Sequence, residues 1–249
     1  MTVHEAARRG FARQADAYER GRPGYPEQAT AWLTAELGLG PGKTVVDVGA
    51  GTGKLTRSLQ ASEATVIAVE PVAAMRAVLK RELPHVRALD GTAESLPLQD
   101  ESADAIVVGQ AFHWFDARAA LAEFHRVLRT PGRLGLIWNV RDRGQELQRK
   151  IDELTEPLRR DTPSQARGGW RSALERSPLF APAGELRVPF ELALDRETFV
   201  DRIGSISFIA ALDDPRRESV LEQVRRLASA HPEPWAYVAE VYVYVGSER

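Results

Sequence analysis

Asp47-Val48-Gly49-Ala50-Gly51-Thr52-Gly53 is the stretch of this 249-residue chain whose residue types and spacing come nearest to chemistry. Glycine is needed there for two reasons. The turn wants backbone angles that a side chain forbids, and a ligand must approach the main chain closely. The helix beginning beyond the loop favours an anionic group at its N-terminus. This is the pattern of a nucleotide-cofactor loop. A dinucleotide site would read Gly-x-Gly-x-x-Gly, but here Lys54 stands where the third glycine belongs. Asp47 would repel phosphates and suits a cationic amino group. A second centre is His113, within Gln110-Ala111-Phe112-His113-Trp114-Phe115-Asp116. As a general base it would contribute about 10²–10⁴ in rate for a weakly acidic hydroxyl. The other reading of His113 and Trp114 is packing or cofactor orientation. His4, His85, His125 and His231 are scattered without metal-ligand spacing, so no metal site is expected. With no cysteine, thiolate zinc sites, disulfides and a cysteine nucleophile are excluded.

Alternating strands and helices must carry these residues. Residues 1–20 have a helical pattern (Phe11, Ala15, Tyr18) that breaks at Gly21-Arg22-Pro23-Gly24-Tyr25-Pro26, and 27–37 read as a helix ending at Gly38. Strands are predicted at 44–48, 65–69, 86–89, 103–109 and 134–140, with helices at 53–61, 72–83 and 117–129. That order requires a parallel sheet with helices on both faces. Ligands of such sheets lie beyond the C-terminal strand ends. Asp47 to Gly53, Glu70, Gly91 to Glu94, Gln110 to Trp114 and Asn139 to Asp142 therefore converge on one crevice. Further on, 144–160 read as a charged helix with Glu146, Asp152, Glu153 and Glu156 on a solvated face. Pro163, Gly168, Gly169, Pro178 and Pro182 make 161–182 an irregular connection or lid. A strand at 185–194, helices at 196–203 and 214–230, and a strand from Tyr237 to Val245 complete the chain.

The expected fold is α/β: a Rossmann-like, seven-stranded, mostly parallel sheet with its last strand antiparallel. The expected organisation is an N-terminal helical cap (1–42), a cofactor-binding core (43–141), and a substrate lobe or lid inserted after strand five that also supplies the final strands (142–249). A net charge of −2 argues against nucleic-acid or anionic-membrane partners. The apolar runs are strand-sized, so no membrane span is expected. No cysteines and no apolar run behind Arg8 and Arg9 suggest a cytoplasmic protein without a signal peptide, monomeric or homodimeric.

An acid, Gly-x-Gly-x-Gly, and Glu70 closing the second strand together resemble motif I of the class I S-adenosylmethionine-dependent methyltransferases. The resemblance continues in Gly91-Thr92-Ala93-Glu94-Ser95-Leu96-Pro97, in Ala103-Asp104-Ala105-Ile106-Val107-Val108, and in Gln110 to Asp116. With Phe11, Tyr18 and Arg22-Pro23-Gly24-Tyr25-Pro26, these segments resemble the methyltransferase type 11 small-molecule subgroup that includes the trans-aconitate methyltransferase-like proteins. The resemblance implies S-adenosylmethionine as cofactor and S-adenosylhomocysteine as product. It implies cofactor contacts from Tyr18, Arg22, Asp47, Gly49, Ala50, Gly51, Thr52, Gly53, Glu70, Pro71, Met75, Thr92, Ala93, Glu94, Gln110, Ala111 and Phe112. Glu70 would accept both ribose hydroxyls, and the post-strand-three segment would read adenine, with Thr92 where the family more often has Asp. Met75 reads equally as core. Acceptor contacts are expected from Tyr25, His113, Trp114, Asn139 and Arg141, with Arg22, Arg141 and Arg143 available for an acidic acceptor. No Asn/Asp-Pro-Pro-aromatic sequence follows strand four, which weighs against methylation of nucleic-acid bases. The expected reaction is in-line methyl transfer to a small-molecule oxygen, nitrogen or carbon. The alternatives are a cofactor-retaining isomerase or binding module, and a nicotinamide oxidoreductase.

Overall fold

The computed structural model describes residues 24–159, 162–163, 165–192, 194–231 and 234–248. Five parallel strands follow the predicted order: β1 (Thr44–Val48), β2 (Thr65–Val69), β3 (Arg87–Leu89), β4 (Ala103–Gly109) and β5 (Leu128–Arg141). β6 (Phe180–Leu192) and β7 (Trp235–Gly246) complete a seven-stranded sheet of order β3-β2-β1-β4-β5-β7-β6. β7 runs antiparallel to both of its neighbours, as expected of the last strand. The strand order reverses between β1 and β4, and their carboxyl ends open the crevice that such sheets use for ligands.

Alternation along the strands decides which face each residue serves. Val46, Val48, Ile106, Val108, Leu134 and Leu136 pack with α4 (Ala117–Val127) through Leu121, Phe124 and Val127. The intervening Val45, Ala105, Val107 and Ile137 pack on the other face against α1 (Glu27–Glu36) and α2 (Lys54–Leu59). Asp47 shares that second face with Val45, which brings it to Thr56 of α2. α3 (Ala73–Glu82) follows β2 and buries Met75, Val78 and Leu79. A separate apolar cluster joins α5 (Glu146–Thr155), α7 (Arg196–Gly204), α8 (Ser207–Ala210) and α9 (Asp214–Ser229) to Trp235 and Tyr237 of β7.

The differences from expectation have local causes. α4 stops at Val127 rather than 129, and β5 begins at Leu128. β5 pairs Leu128 with Ala103 and Arg133 with Ala105, so Arg129 to Gly132, which include Pro131, bulge out of register. β6 is longer than 185–194 suggested because it is an edge strand, where Pro182 and Pro189 need not donate to an inner ladder. Residues 161–182 are not simply irregular. They hold a 3-10 turn (Gln165–Arg167) and α6 (Gly169–Glu175), whose Trp170 packs 4.5 Å from Trp138 and 5.1 Å from Tyr242 between ring centroids. No helix among the described residues is long and apolar enough to cross a membrane.

Candidate functional site

The glycine loop runs from the end of β1 into α2. Gly49, Gly51 and Gly53 all have positive φ, at 70°, 59° and 89°, so all three need the conformation that side chains disfavour. The Gly49 N–H donates to Val69 O at 2.8 Å, which ties the loop to the end of β2. A Cβ on Gly49 would lie 3.0 Å from the Ala111 Cβ and 3.3 Å from the Phe115 ring. Gly49→Ala is therefore expected to destabilise the fold by about 1–2 kcal/mol and lower Tm by roughly 2–8 °C. A thermal melt that does not move would show that the loop relaxes around a side chain.

Two carboxylates flank the loop, and both are buried. Asp47 is 1% exposed. Its Oδ2 accepts the Thr56 hydroxyl at 2.6 Å, and its Oδ1 has no hydrogen-bond partner. Desolvation pushes its pKa up to about 7; the Thr56 hydroxyl opposes the rise and the neighbouring Glu70 charge adds to it. Glu70 Oε2 accepts the Gly51 N–H at 2.8 Å and Oε1 accepts the Val72 N–H at 2.7 Å. Burial raises the Glu70 pKa against the pull of those two N–H groups. Arg76 braces this corner by donating to the Glu70 carbonyl at 2.5 Å and pairing with Asp90.

Around these groups the chain brings together most of the residues expected at a cofactor. Ala50 and Thr52 line the cleft with Asp47, Gly49 and Gly51, and Gly53 closes the loop by donating its N–H to the Ala50 carbonyl at 2.9 Å. The Thr52 hydroxyl is buried without a partner. Met75 is buried, with its sulfur 3.9 Å from where a Gly51 Cβ would stand; it underlies the loop, and Pro71 follows Glu70 directly. Thr92 and Ser95 form a tight turn, and Ala93 is buried inside it. Glu94 Oε1 accepts the Asp116 N–H at 3.0 Å, anchoring this turn to the start of α4. Gln110 adopts φ 59°, and its side chain donates to Asn139 O at 3.1 Å. Ala111 touches the loop at Gly49, as above. The Phe112 side chain is turned away from the cleft, fully buried against Phe115 and Phe124, so only its backbone can serve a ligand. Tyr18 and Arg22 lie outside the described residues.

Beside this cleft lies a larger cavity of about 450 Å³, lined by His113, Trp114, Asn139 and Arg141 among others. Gln110, Asn139 and Arg202 line both spaces. Tyr25 lines the smaller cleft beside the glycine loop and lies across Gly109, where a Cβ would come within 2.5 Å of its hydroxyl. Asn139 donates to Gly24 O at 3.0 Å, and its own Oδ1 is buried without a partner. The Trp138 indole N–H donates to His113 Nδ1 at 3.3 Å. With Nδ1 accepting, the hydrogen of the neutral imidazole sits on Nε2.

The cavity's arginines are not equally available. Arg141 and Arg143 both pair with Asp152, which is thereby drawn out of the solvated helix face expected for it. Arg159 pairs with Glu156, and Arg187 with Glu240. Arg202 differs: it is 7% exposed, its Nε donates to the Tyr237 hydroxyl at 2.8 Å, and its guanidinium stacks on the same ring. No ion pair joins Arg202 to a carboxylate among the described residues. Neither Arg202 nor Tyr237 was marked by any sequence motif; they meet only because α7 packs against β7.

The chain matches the family model for a methyltransferase domain over residues 46–136. It is 39% identical over 222 residues to an uncharacterised methyltransferase of Mycobacterium tuberculosis, covering 89% of this chain and 86% of that one. An uncharacterised methyltransferase-like protein of Schizosaccharomyces pombe is 34% identical over 219 residues, covering 86% and 84%. Among solved structures, one assigned as a type II methyltransferase, from Anaeromyxobacter dehalogenans, superposes with a TM-score of 0.66 at 26% identity, covering 90% of this chain and 97% of that one. A geranyl diphosphate C-methyltransferase of Streptomyces coelicolor, solved with S-adenosylhomocysteine, shares the fold at a TM-score of 0.51 and 17% identity, covering 92% and 84%.

Proposed function

This chain belongs to the class I S-adenosylmethionine-dependent methyltransferases, and from that premise we propose that it methylates a small molecule held in the 450 Å³ cavity. The observation that carries this reading is the junction. An acceptor-sized space opens beside the glycine loop and shares Gln110, Asn139 and Arg202 with it. The cofactor cleft fits the group on its own evidence. Asp47 Oδ1 and the Thr52 hydroxyl are buried polar atoms awaiting a partner. Asp47 suits the ammonium of the methionine moiety. Each Glu70 oxygen, already holding one backbone N–H, keeps a lone pair for a ribose hydroxyl.

When bound, the cofactor supplies a methyl group on a sulfonium, which is already a good leaving group. What remains for the protein is alignment and exclusion of water, worth up to several kcal/mol. Trp114 and the aromatic floor of Trp138 serve exclusion. The Trp138 hydrogen bond suits His113 to donate Nε2–H to the acceptor; acting as a base would require giving up that bond. His113→Ala is expected to slow turnover by about 10- to 100-fold with S-adenosylhomocysteine affinity unchanged. His113→Gln, which keeps an N–H donor, should recover most of the rate. Equal turnover in the alanine variant would remove His113 from the reaction.

The test of the function is calorimetric titration of the protein with S-adenosylmethionine, S-adenosylhomocysteine and NAD, followed by an acceptor screen read as S-adenosylhomocysteine release. Binding of the first two and not NAD, with acceptor-dependent release, is expected. NAD binding alone would favour an oxidoreductase. Conversion of an acceptor without loss of S-adenosylmethionine would favour an isomerase.

A further inference from the structure

We propose that Arg202, held by Tyr237, is the receptor for a carboxylate handle on the methyl acceptor. The inference rests on the methyl-transfer reading and deepens it by naming the substrate class.

A buried guanidinium without a counter-charge is unfavourable, because desolvation is not offset by an opposite charge. Among the described residues, Arg202 is in that position. Among the described residues its guanidinium has one hydrogen bond, to a neutral phenol, and it stands at the junction of the cavity and the smaller cleft. The other arginines around the cavity are paired: Arg141 and Arg143 with Asp152, Arg159 with Glu156, and Arg187 with Glu240, to which Gln165 also donates at 2.7 Å; Asp142, also on the lining, makes no ion pair among the described residues and accepts the Gly144 N–H. Among the described residues Arg202 is the cavity-lining guanidinium without an ionic partner, and a single guanidinium matches the single charge of a carboxylate better than a phosphate dianion. The planar guanidinium also matches a carboxylate's two oxygens, and Tyr237 fixes its orientation through both the hydroxyl and the ring. The positive charge is fixed before the ligand arrives, so the site selects an acid over its amide. Arg141, one of the residues expected to contact the acceptor, is paired with Asp152 on the same lining.

The test uses the full chain and begins with S-adenosylhomocysteine titration of wild type, R202Q and R202K. Saturation-transfer NMR then compares acetate, benzoate, phenylacetate and succinate with their amides, in the presence of saturating S-adenosylhomocysteine. The expected result is that at least one acid binds ten-fold or more tightly than its amide. R202Q should erase the preference, R202K should retain part of it, and Y237F should weaken it. S-adenosylhomocysteine affinity should stay within two-fold in every variant. Equal binding of acids and amides, no binding of any acid, or a preference that survives in R202Q would overturn the proposal. A ten-fold loss of S-adenosylhomocysteine affinity in R202Q, restored in R202K, would assign the guanidinium to the cofactor's own carboxylate and overturn it too. Failure of the wild-type protein to bind S-adenosylhomocysteine would instead count against the methyltransfer reading. The acid–amide comparison would then be made on the protein alone and judged by the same criteria.

Discussion

Glu70→Ala is expected to weaken S-adenosylhomocysteine binding by roughly 2–3 kcal/mol, about 30- to 150-fold, with hydrogen bonds to a charged group as the source. The carboxylate has two tasks. Its oxygens accept the Gly51 and Val72 N–H groups, which hold the glycine loop and the start of α3 in place. The same oxygens stand at the end of β2, where the ribose is expected. Alanine removes both tasks and leaves two buried N–H groups without acceptors. Glu70→Gln separates them: one amide oxygen can still take one N–H, while the amide nitrogen faces the other. We therefore expect the glutamine variant to lose affinity as well, but to melt closer to wild type than the alanine variant does. Calorimetry and thermal melts on the two variants check this. An alanine variant that binds S-adenosylhomocysteine as wild type does would end the ribose assignment.

With Asp47 holding the cofactor's ammonium, cofactor binding is expected to be a proton-linked event. Burial holds its pKa near 7, so much of it is protonated in the free protein just below neutrality. A bound ammonium favours the ionised form, so binding expels the proton. Below about pH 7, S-adenosylhomocysteine affinity should rise by up to about tenfold per pH unit and then level off. Titrations at pH 6 in buffers of different ionisation enthalpy should show release of up to about one proton. Asp47→Asn should bind more weakly and with no such pH dependence. A wild-type affinity that is flat from pH 5.5 to 8 would be incompatible with this role. The sign for stability is the opposite. The folded pKa lies above the ordinary aspartate value of 3.8, so the unfolded chain loses this proton first as pH rises. The contribution of Asp47 to stability therefore falls between about pH 4 and pH 7, and Asp47→Asn should remove that slope in denaturant melts.

The two carboxylates also show why the glycine-loop side of the candidate site was legible in the sequence and the larger cavity less so. The glycine loop is a local device. Positive φ at Gly49, Gly51 and Gly53 is written directly in residue type, and Asp47 and Glu70 are strand-end residues whose positions follow from two short apolar runs. The parallel order β1 to β5 follows from the same runs, because a short strand buried on both faces leaves an unbroken apolar signature. Short elements escaped this reading. α6 carries only Trp170 and Leu174 as buried anchors, and α8 is a single turn.

By itself the sequence determined the fold class, the seven-stranded sheet with its antiparallel last strand, and the family. Each is set by local period, local backbone angles and contiguous motifs. The tertiary structure decided which polar groups near the acceptor are occupied. Arg141 and Arg143 are held by Asp152, His113 is oriented by Trp138, and Arg202 is held by Tyr237. The physical reason is that a side chain's charge and hydrogen-bond capacity are set by its type, but its partner is set by packing. Arg202 and Tyr237 lie on separate elements, α7 and β7, that meet through a buried apolar cluster, and no local pattern announces that meeting.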